Sequence, residues 1–160
     1  MPAFTICPLI HADREWMQQK IIEEWGAEII VVHGDVFRPA ELPGFAACRG
    51  KQIVGLLTYR VDGDEFEIMT LNSWRAGLGV GTALIETVRQ LAIWQKCRRL
   101  YLVTTNDNTR ALRFYQMCGF TLSVVRLNVI EKSRRIKPEI PPTGEDGIPI
   151  RDELELAIIL

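Results

Sequence analysis

Three glycines at alternate positions, Gly77, Gly79 and Gly81, separate an apolar run from Phe66 to Leu71 and a segment opening Val80-Gly81-Thr82-Ala83-Leu84. Glycine adopts backbone angles forbidden to other residues and carries no Cβ, so a charged group can come close to the main chain. A helix N-terminus adds up to about four unpaired amide donors and roughly half a positive charge. Strand, glycine turn and helix in that order therefore predict an anion site suited to a phosphate or diphosphate.

The spacing separates this turn from two common phosphate loops. A Gly-Lys-Ser/Thr loop requires a lysine, and Gly81-Thr82 has none. A dinucleotide fingerprint would put its third glycine where Ala83 stands, with an acidic ribose ligand about 20 residues further on, a place that Asp107 fills only loosely. Taken alone, the turn could also bind nothing.

Elements able to position the turn are legible around it. Ala3 to Leu9 reads as a strand. Asp13 suits an N-cap, and Met17, Ile21 and Trp25 stripe a helix that Gly26 ends. Glu28 to His33 reads as a strand ending in a histidine, and Asp35 to Gly44 as a loop. Phe45 to Arg49 and Gln52 to Val61 form a hairpin about Gly50-Lys51. Asp62-Gly63 then turns the chain into a strand from Glu65 to Leu71. An antiparallel meander thus delivers the chain to the glycine turn.

Beyond the turn, Val80, Leu84, Val88, Leu91 and Gln95 fall on one side of a helix, with Trp94 on its shoulder. Arg99 to Thr105 is the next strand, and a strand, helix and strand imply a right-handed crossover between parallel strands. Asn108 caps a helix through Ala111, Leu112 and Tyr115 to Cys118, which Gly119 ends, and Phe120 to Leu127 follows as a strand. Ile130 to Lys137 is a short basic helix with a solvated face. Pro138 to Pro149 is irregular, and Glu153 to Leu160 alternates as a half-buried terminal strand.

Composition sets the outer bounds. A chain of 160 residues with 48% hydrophobic and 24% charged residues reads as one domain, residues 1–160, with an ordinary core. A net charge of −1 offers no electrostatic reason to bind nucleic acid or an anionic membrane. No leader pattern and no run of about 18 apolar residues is present, so a cytoplasmic protein is expected. Cys7, Cys48, Cys97 and Cys118 form no Cys-x-x-Cys pair and only His11 and His33 accompany them, so no metal is expected.

The combination of motifs resembles the GNAT acetyltransferase superfamily, whose members bind acetyl-CoA through a Gln/Arg-x-x-Gly-x-Gly/Ala turn between a strand and a long helix. Asn108-x-x-Ala111-x-x-x-Tyr115-x-x-x-Gly119-Phe120 is similar to the family's later segment. The resemblance covers Ala3 to Leu127 and extends to the terminal strand. One departure stands out: Ala76 occupies the Gln/Arg position, and Arg75 precedes it.

The resemblance implies an α/β (α+β) fold, a central mixed, mostly antiparallel sheet of about seven strands with flanking helices. It also implies an N-acetyltransferase using acetyl-CoA as acyl donor, acting by direct transfer in a ternary complex on a primary amine of a small molecule or peptide, and a homodimer as a further partner expectation. The alternative is a non-catalytic acetyl-CoA sensor or interaction module. Backbone groups at Leu71, Asn72 and Ser73 would bind the pantetheine arm, and the turn at Ala76, Gly77, Leu78, Gly79, Val80, Gly81 and Thr82 would take the diphosphate. Asn106, Asn108 and Tyr115 would flank the sulfur.

Tyr115 is the implied acid for the departing thiolate. Glu65 and Glu67, sharing a face with Leu71, are the implied bases, Glu67 the favoured one. Glu139, Glu145, Asp146 and Asp152 are either an acidic lip for a cationic acceptor or solvated charges on a connector.

Overall fold

A computed structural model describes residues 3–160. Along the chain run β1 (Thr5–Pro8), α1 (Arg14–Trp25), β2 (Ile30–Val32), β3 (Asp35–Phe37), β4 (Gly44–Arg49), β5 (Gln52–Asp62) and β6 (Glu65–Ser73). They are followed by α2 (Val80–Trp94), β7 (Arg99–Thr105), α3 (Thr109–Met117), β8 (Thr121–Arg126), α4 (Ile130–Ile136) and β9 (Glu153–Ile159). Seven strands form a sheet in the order β1-β4-β5-β6-β7-β9-β8, and β2 and β3 form a separate ribbon. The ladders β1–β4, β4–β5, β5–β6 and β8–β9 are antiparallel, the mostly antiparallel α/β arrangement expected from the sequence.

Contacts divide the chain into a unit containing residues up to Asp13, Leu42–Tyr101 and Ile159–Leu160, and a second of Arg14–Glu41 and Leu102–Ile158. In the first, the predicted meander folds as β4, β5 and β6. Leu56, Leu57, Phe66, Leu84, Val88 and Leu100 are buried, each such side chain worth about 1.5–3 kcal/mol of burial. Tyr59 stacks on Phe66 at 4.5 Å between ring centres. Trp94 departs from expectation. It is 78% exposed, because it lies well around the helix from the buried stripe Val80, Leu84 and Val88.

In the second unit, Met17 and Ile21 of α1 are buried as predicted. The expected loop from Asp35 instead opens with β3, paired back on β2 across His33-Gly34. Both turn residues have positive φ, 57° and 79°, the conformation of a tight two-residue hairpin. Histidine rarely signals such a turn, so the strand was hidden.

β9 is also different from its expected form. It lies between β7 and β8 in the sheet order, and Glu153 and Glu155 are buried with Leu156 and Ala157. A strand flanked by neighbours and covered on both faces loses the inside-outside alternation of a half-buried one.

Lys132 and Arg135 of the basic segment at α4 are exposed, as expected, while Arg134 and Lys137 are built into the structure. Arg134 Nη2 donates to the carbonyls of Pro141 at 2.9 Å and Ile150 at 2.6 Å, holding the proline-rich segment. Lys137 is only 4% exposed, and burial pulls its ammonium down from the usual lysine range. Asp152 is no part of an acidic lip. It is buried, accepts the Asn128 N–H at 2.8 Å and is paired with Arg151, which holds its carboxyl below the usual range. Among the described residues, no helix is long and apolar enough to cross a membrane.

Candidate acetyl-donor site

The glycine turn has the conformation its sequence demands. Gly79 is the N-cap of α2 at φ 73°, with no side chain to cap the helix, and Gly77 stands at φ 79°. Left-handed angles cost an L side chain about 1–2 kcal/mol. A Cβ built on either glycine would meet nothing within 4 Å, so open space lies over the turn. The first helical bond runs from the Ala83 N–H to the Gly79 carbonyl at 3.0 Å, which puts the amides of Val80, Gly81 and Thr82 ahead of the i→i−4 ladder. Arg75, beside the departure at Ala76, donates from Nη2 to Gln52 Oε1 at 2.9 Å.

Gly55 sets how closely α2 sits on the sheet, and it was missed in the sequence. It lies on β5 opposite Ser73. A Cβ there would collide with Val80 Cγ1 and lie 3.1 Å from Leu84 Cδ1 and 3.2 Å from the Asn72 carbonyl oxygen. An isolated glycine within the apolar run of a strand was the available signal.

A β-bulge decides which side chains of β6 share a face. Thr58 pairs with Thr70 and Tyr59 with Ile68, so Met69 is an extra residue on β6. One extra residue inverts the alternation beyond it. Glu65 and Glu67 therefore share the face of Thr70 and Asn72, not that of Leu71 as the uninterrupted parity implied.

That face carries a run of cross-strand polar contacts. Thr58 Oγ1 and Thr70 Oγ1 are 2.6 Å apart. Arg60 Nε donates to Glu67 Oε1 at 2.8 Å, and the Tyr101 hydroxyl donates to the same oxygen at 3.2 Å. Glu67 is 1% exposed. Burial, then the charge of Glu67, pushes the Tyr101 phenol up to about 12. Glu65 accepts from Arg98 Nη2 at 2.9 Å and Arg99 Nε at 2.7 Å, and the Arg99 guanidinium lies 4.0 Å from the Tyr101 ring centre. Both carboxylates are engaged by arginine side chains.

At the end of β6, Leu71 and Asn72 are partly buried and Ser73 is exposed, and the Trp74 N–H extends the pairing to the Val54 carbonyl at 2.9 Å. Asn72 Oδ1 is buried with no hydrogen-bond partner among the described residues. An unmet buried acceptor costs about 1–3 kcal/mol, so it calls for a donor.

The second unit holds the remaining expected residues. Asn108 Oδ1 accepts the Ala111 N–H at 3.3 Å and caps α3 as predicted. Asn106 has a structural task instead. Its Nδ2 donates to the Pro149 carbonyl at 2.9 Å, and its Oδ1 accepts the N–H groups of Arg151 and Asp152, both at 3.0 Å. With both ends of its amide engaged, this side chain clamps the start of β9.

Tyr115 lies edge-on to Phe114 at 5.5 Å and to Phe120 at 5.8 Å. Part of its ring surface reaches solvent, but protein packs densely about the phenol. That burial, with the Cys118 thiol second, pushes it up to about 12.

The family model of the acetyltransferase (GNAT) family matches residues 7–120. The chain belongs to that family. The uncharacterized protein YdhI of Bacillus subtilis (strain 168) is 44% identical over 133 residues, 82% of this chain and 83% of its own. Among solved structures, the fold is similar to that of a Bacillus subtilis acetyltransferase in complex with CoA, with a TM-score of 0.70, 17% identity, and 98% and 99% of the two chains covered. A GNAT family acetyltransferase from Elizabethkingia anophelis with acetyl-CoA bound gives a TM-score of 0.69, 20% identity and full coverage of both chains. The GNAT match includes the meander, the glycine turn and the segment from Asn108 to Phe120.

Proposed function

We propose that this GNAT protein transfers the acetyl group of acetyl-CoA to a primary amine by direct transfer in a ternary complex. The observation that carries the reading is the α2 N-terminus, uncapped at Gly79 with open space above it. Amides from Gly77 to Thr82 would take the diphosphate. Two similar folds hold CoA or acetyl-CoA, and the orphaned Asn72 Oδ1 fits a pantetheine arm, whose amides offer N–H donors. Bound acetyl-CoA supplies an acetyl thioester. A backbone N–H near Leu71 to Ser73 would polarise its carbonyl.

We assign the acid role to Tyr115. A phenol near 12 is protonated at neutral pH. Full transfer to a thiolate of pKa about 8.5 is uphill by roughly 3.5 units, or about 5 kcal/mol. Its contribution is therefore a hydrogen bond to the developing thiolate. Tyr115→Phe should lower kcat about 50-fold with little change in the KM for acetyl-CoA. Because this phenol ionises only as pH rises through about 12, no alkaline fall in rate between about pH 7 and 10 should disappear in the variant. Paired kcat profiles read both outcomes, and an unchanged kcat removes the acid role.

Of the two carboxylates we assign the base role to Glu67, buried and fixed by Arg60 and Tyr101. Those donors also temper its basicity, so a contribution near the low end for a general base is expected. Glu67→Gln should lower kcat about 30-fold to 100-fold and alter the acid limb of the pH profile. A loss of thermal stability with kcat and that limb unchanged would assign the residue to the ion pair alone.

The overall reading is tested by calorimetric titration with acetyl-CoA, NAD and ATP, followed by a thiol-release assay over a panel of amines. Binding of acetyl-CoA in preference to the nucleotides, with amine-dependent thiol release, is the expected result. Binding without release on any amine would leave an acetyl-CoA sensor.

A further inference from the structure

The chain carries a net charge of −1, yet no acidic residue occurs from Leu42 to Val61 or from Ile68 to Ile85. Within these stretches, three cations gather at the approach to the glycine turn. Arg49 ends β4, Lys51 stands in the turn between β4 and β5, and Arg75 lies between β6 and the glycines. All three are exposed, and among the described residues no carboxylate pairs with any of them.

The sheet sets Arg49 on the side where α2 begins. Ala47 of β4 is opposite Gly55 of β5, and a Cβ on Gly55 would collide with Val80, the first residue of α2. The bulge beside this pair puts its extra residue, Val54, on β5, so β4 keeps its alternation. Arg49, two residues past Ala47, therefore shares that face about 7 Å along the strand. Gln52 is directly opposite Arg49, and its Oε1 accepts Arg75 Nη2 at 2.9 Å. A neutral partner holds the guanidinium in place without cancelling its charge. Arg75 is also four residues before Gly79, so their α-carbons are at most about 14 Å apart.

Exposed cations without counter-charges suit an anion that is itself exposed and carries more than one charge. A phosphomonoester has a charge of about −1.5 to −2 at pH 7 and three acceptor oxygens, and the guanidinium fork matches phosphate geometry. CoA carries such a group on the 3′ position of its ribose, and that one sugar joins it to the diphosphate.

We propose that Arg49, Lys51 and Arg75 form the subsite for the 3′-phosphate of the acyl donor, with Gln52 positioning Arg75. This deepens the acetyl-CoA reading above and rests on it. The guanidinium missing at Ala76 is then supplied from the neighbouring position and serves a different phosphate. The subsite makes the protein selective for CoA over its 3′-dephospho form.

Calorimetric titration with CoA and with 3′-dephospho-CoA tests this. The unsubstituted protein should bind CoA about tenfold more tightly, the combined value of three exposed charge pairs. That ratio should fall toward one as salt rises from about 0.01 M to about 1 M, because the screening length shrinks from about 30 Å to about 3 Å. Arg75→Gln should reduce the ratio to about fourfold. Gln52→Leu, which frees Arg75 but keeps its charge, should reduce it about twofold. The triple variant Arg49→Gln, Lys51→Gln, Arg75→Gln should bring it to about one. Thermal melts check that these exposed substitutions leave the fold intact. Equal affinity of the unsubstituted protein for the two coenzymes, or a tenfold ratio that survives in the triple variant or at high salt, would overturn the proposal. Binding of neither coenzyme would refute the donor site itself, and the subsite with it.

Discussion

Gly79→Asp should abolish acetyl-CoA binding while leaving the protein folded. Gly79 is the N-cap of α2, a position where aspartate ordinarily stabilises a helix over glycine by only about a few tenths of a kcal/mol, through a side-chain bond to the first amides. Here that gain is set against the left-handed angle at φ 73°, which aspartate tolerates better than most residues. The melting temperature should therefore move little. Binding responds differently, because the new carboxylate would sit where a diphosphate must approach. At about 4 Å and an effective dielectric near 20, each pair of like charges costs about 4 kcal/mol, or roughly 10³ in affinity. Calorimetry with acetyl-CoA and a thermal melt on the same sample check the two halves. Undiminished affinity would show that the diphosphate lies elsewhere.

The second large effect is expected at Gly55, where valine should destabilise the protein by about 3 kcal/mol and weaken acetyl-CoA binding as well. Strand propensity predicts the opposite sign, since valine is among the best strand formers and glycine among the worst. Packing outweighs propensity here. The new Cβ would strike Val80 Cγ1 and crowd Leu84 Cδ1, and a β-branched valine in a helix has little rotameric freedom to yield. Overpacking of this kind costs about 1–3 kcal/mol, and the upper value applies because the Asn72 carbonyl oxygen blocks a third direction at 3.2 Å. Displacing the first turn of α2 would misalign the amides of Val80, Gly81 and Thr82. Denaturant unfolding and an acetyl-CoA titration measure both consequences, and a variant as stable as the parent would refute the close-packing account.

These two glycines differ in how visible they were. Gly79 belongs to a local pattern, with three glycines, an apolar run before and a helical stripe after, and the chemistry of helix ends converts that pattern into an anion site. Asn108 and Gly119 were equally legible as the cap and terminator of α3, because capping depends on residues only a few positions apart. The same locality exposed the meander through Gly50-Lys51 and Asp62-Gly63. In each case the bonds concerned close within a turn or a hairpin.

What stayed hidden required partners distant in the chain. The parity of Glu65 and Glu67 depends on Met69 being unmatched on β5, and a bulge is a property of two strands rather than one. The burial of Glu67 depends on Arg60 and Tyr101, and the engagement of Asn106 on Pro149, Arg151 and Asp152. The terminal strand read as half-buried, but β9 lies inside the sheet between β7 and β8, and Glu153 is buried there. Sequence by itself determined the glycine turn, the cap of α3 and the order of elements apart from β3, since short-range sterics and hydrogen bonding decide those. Only the tertiary structure decided which charges are paired, which face each side chain of β6 occupies and which polar atoms are left wanting. Those outcomes depend on register and burial, and both arise when distant segments pack together.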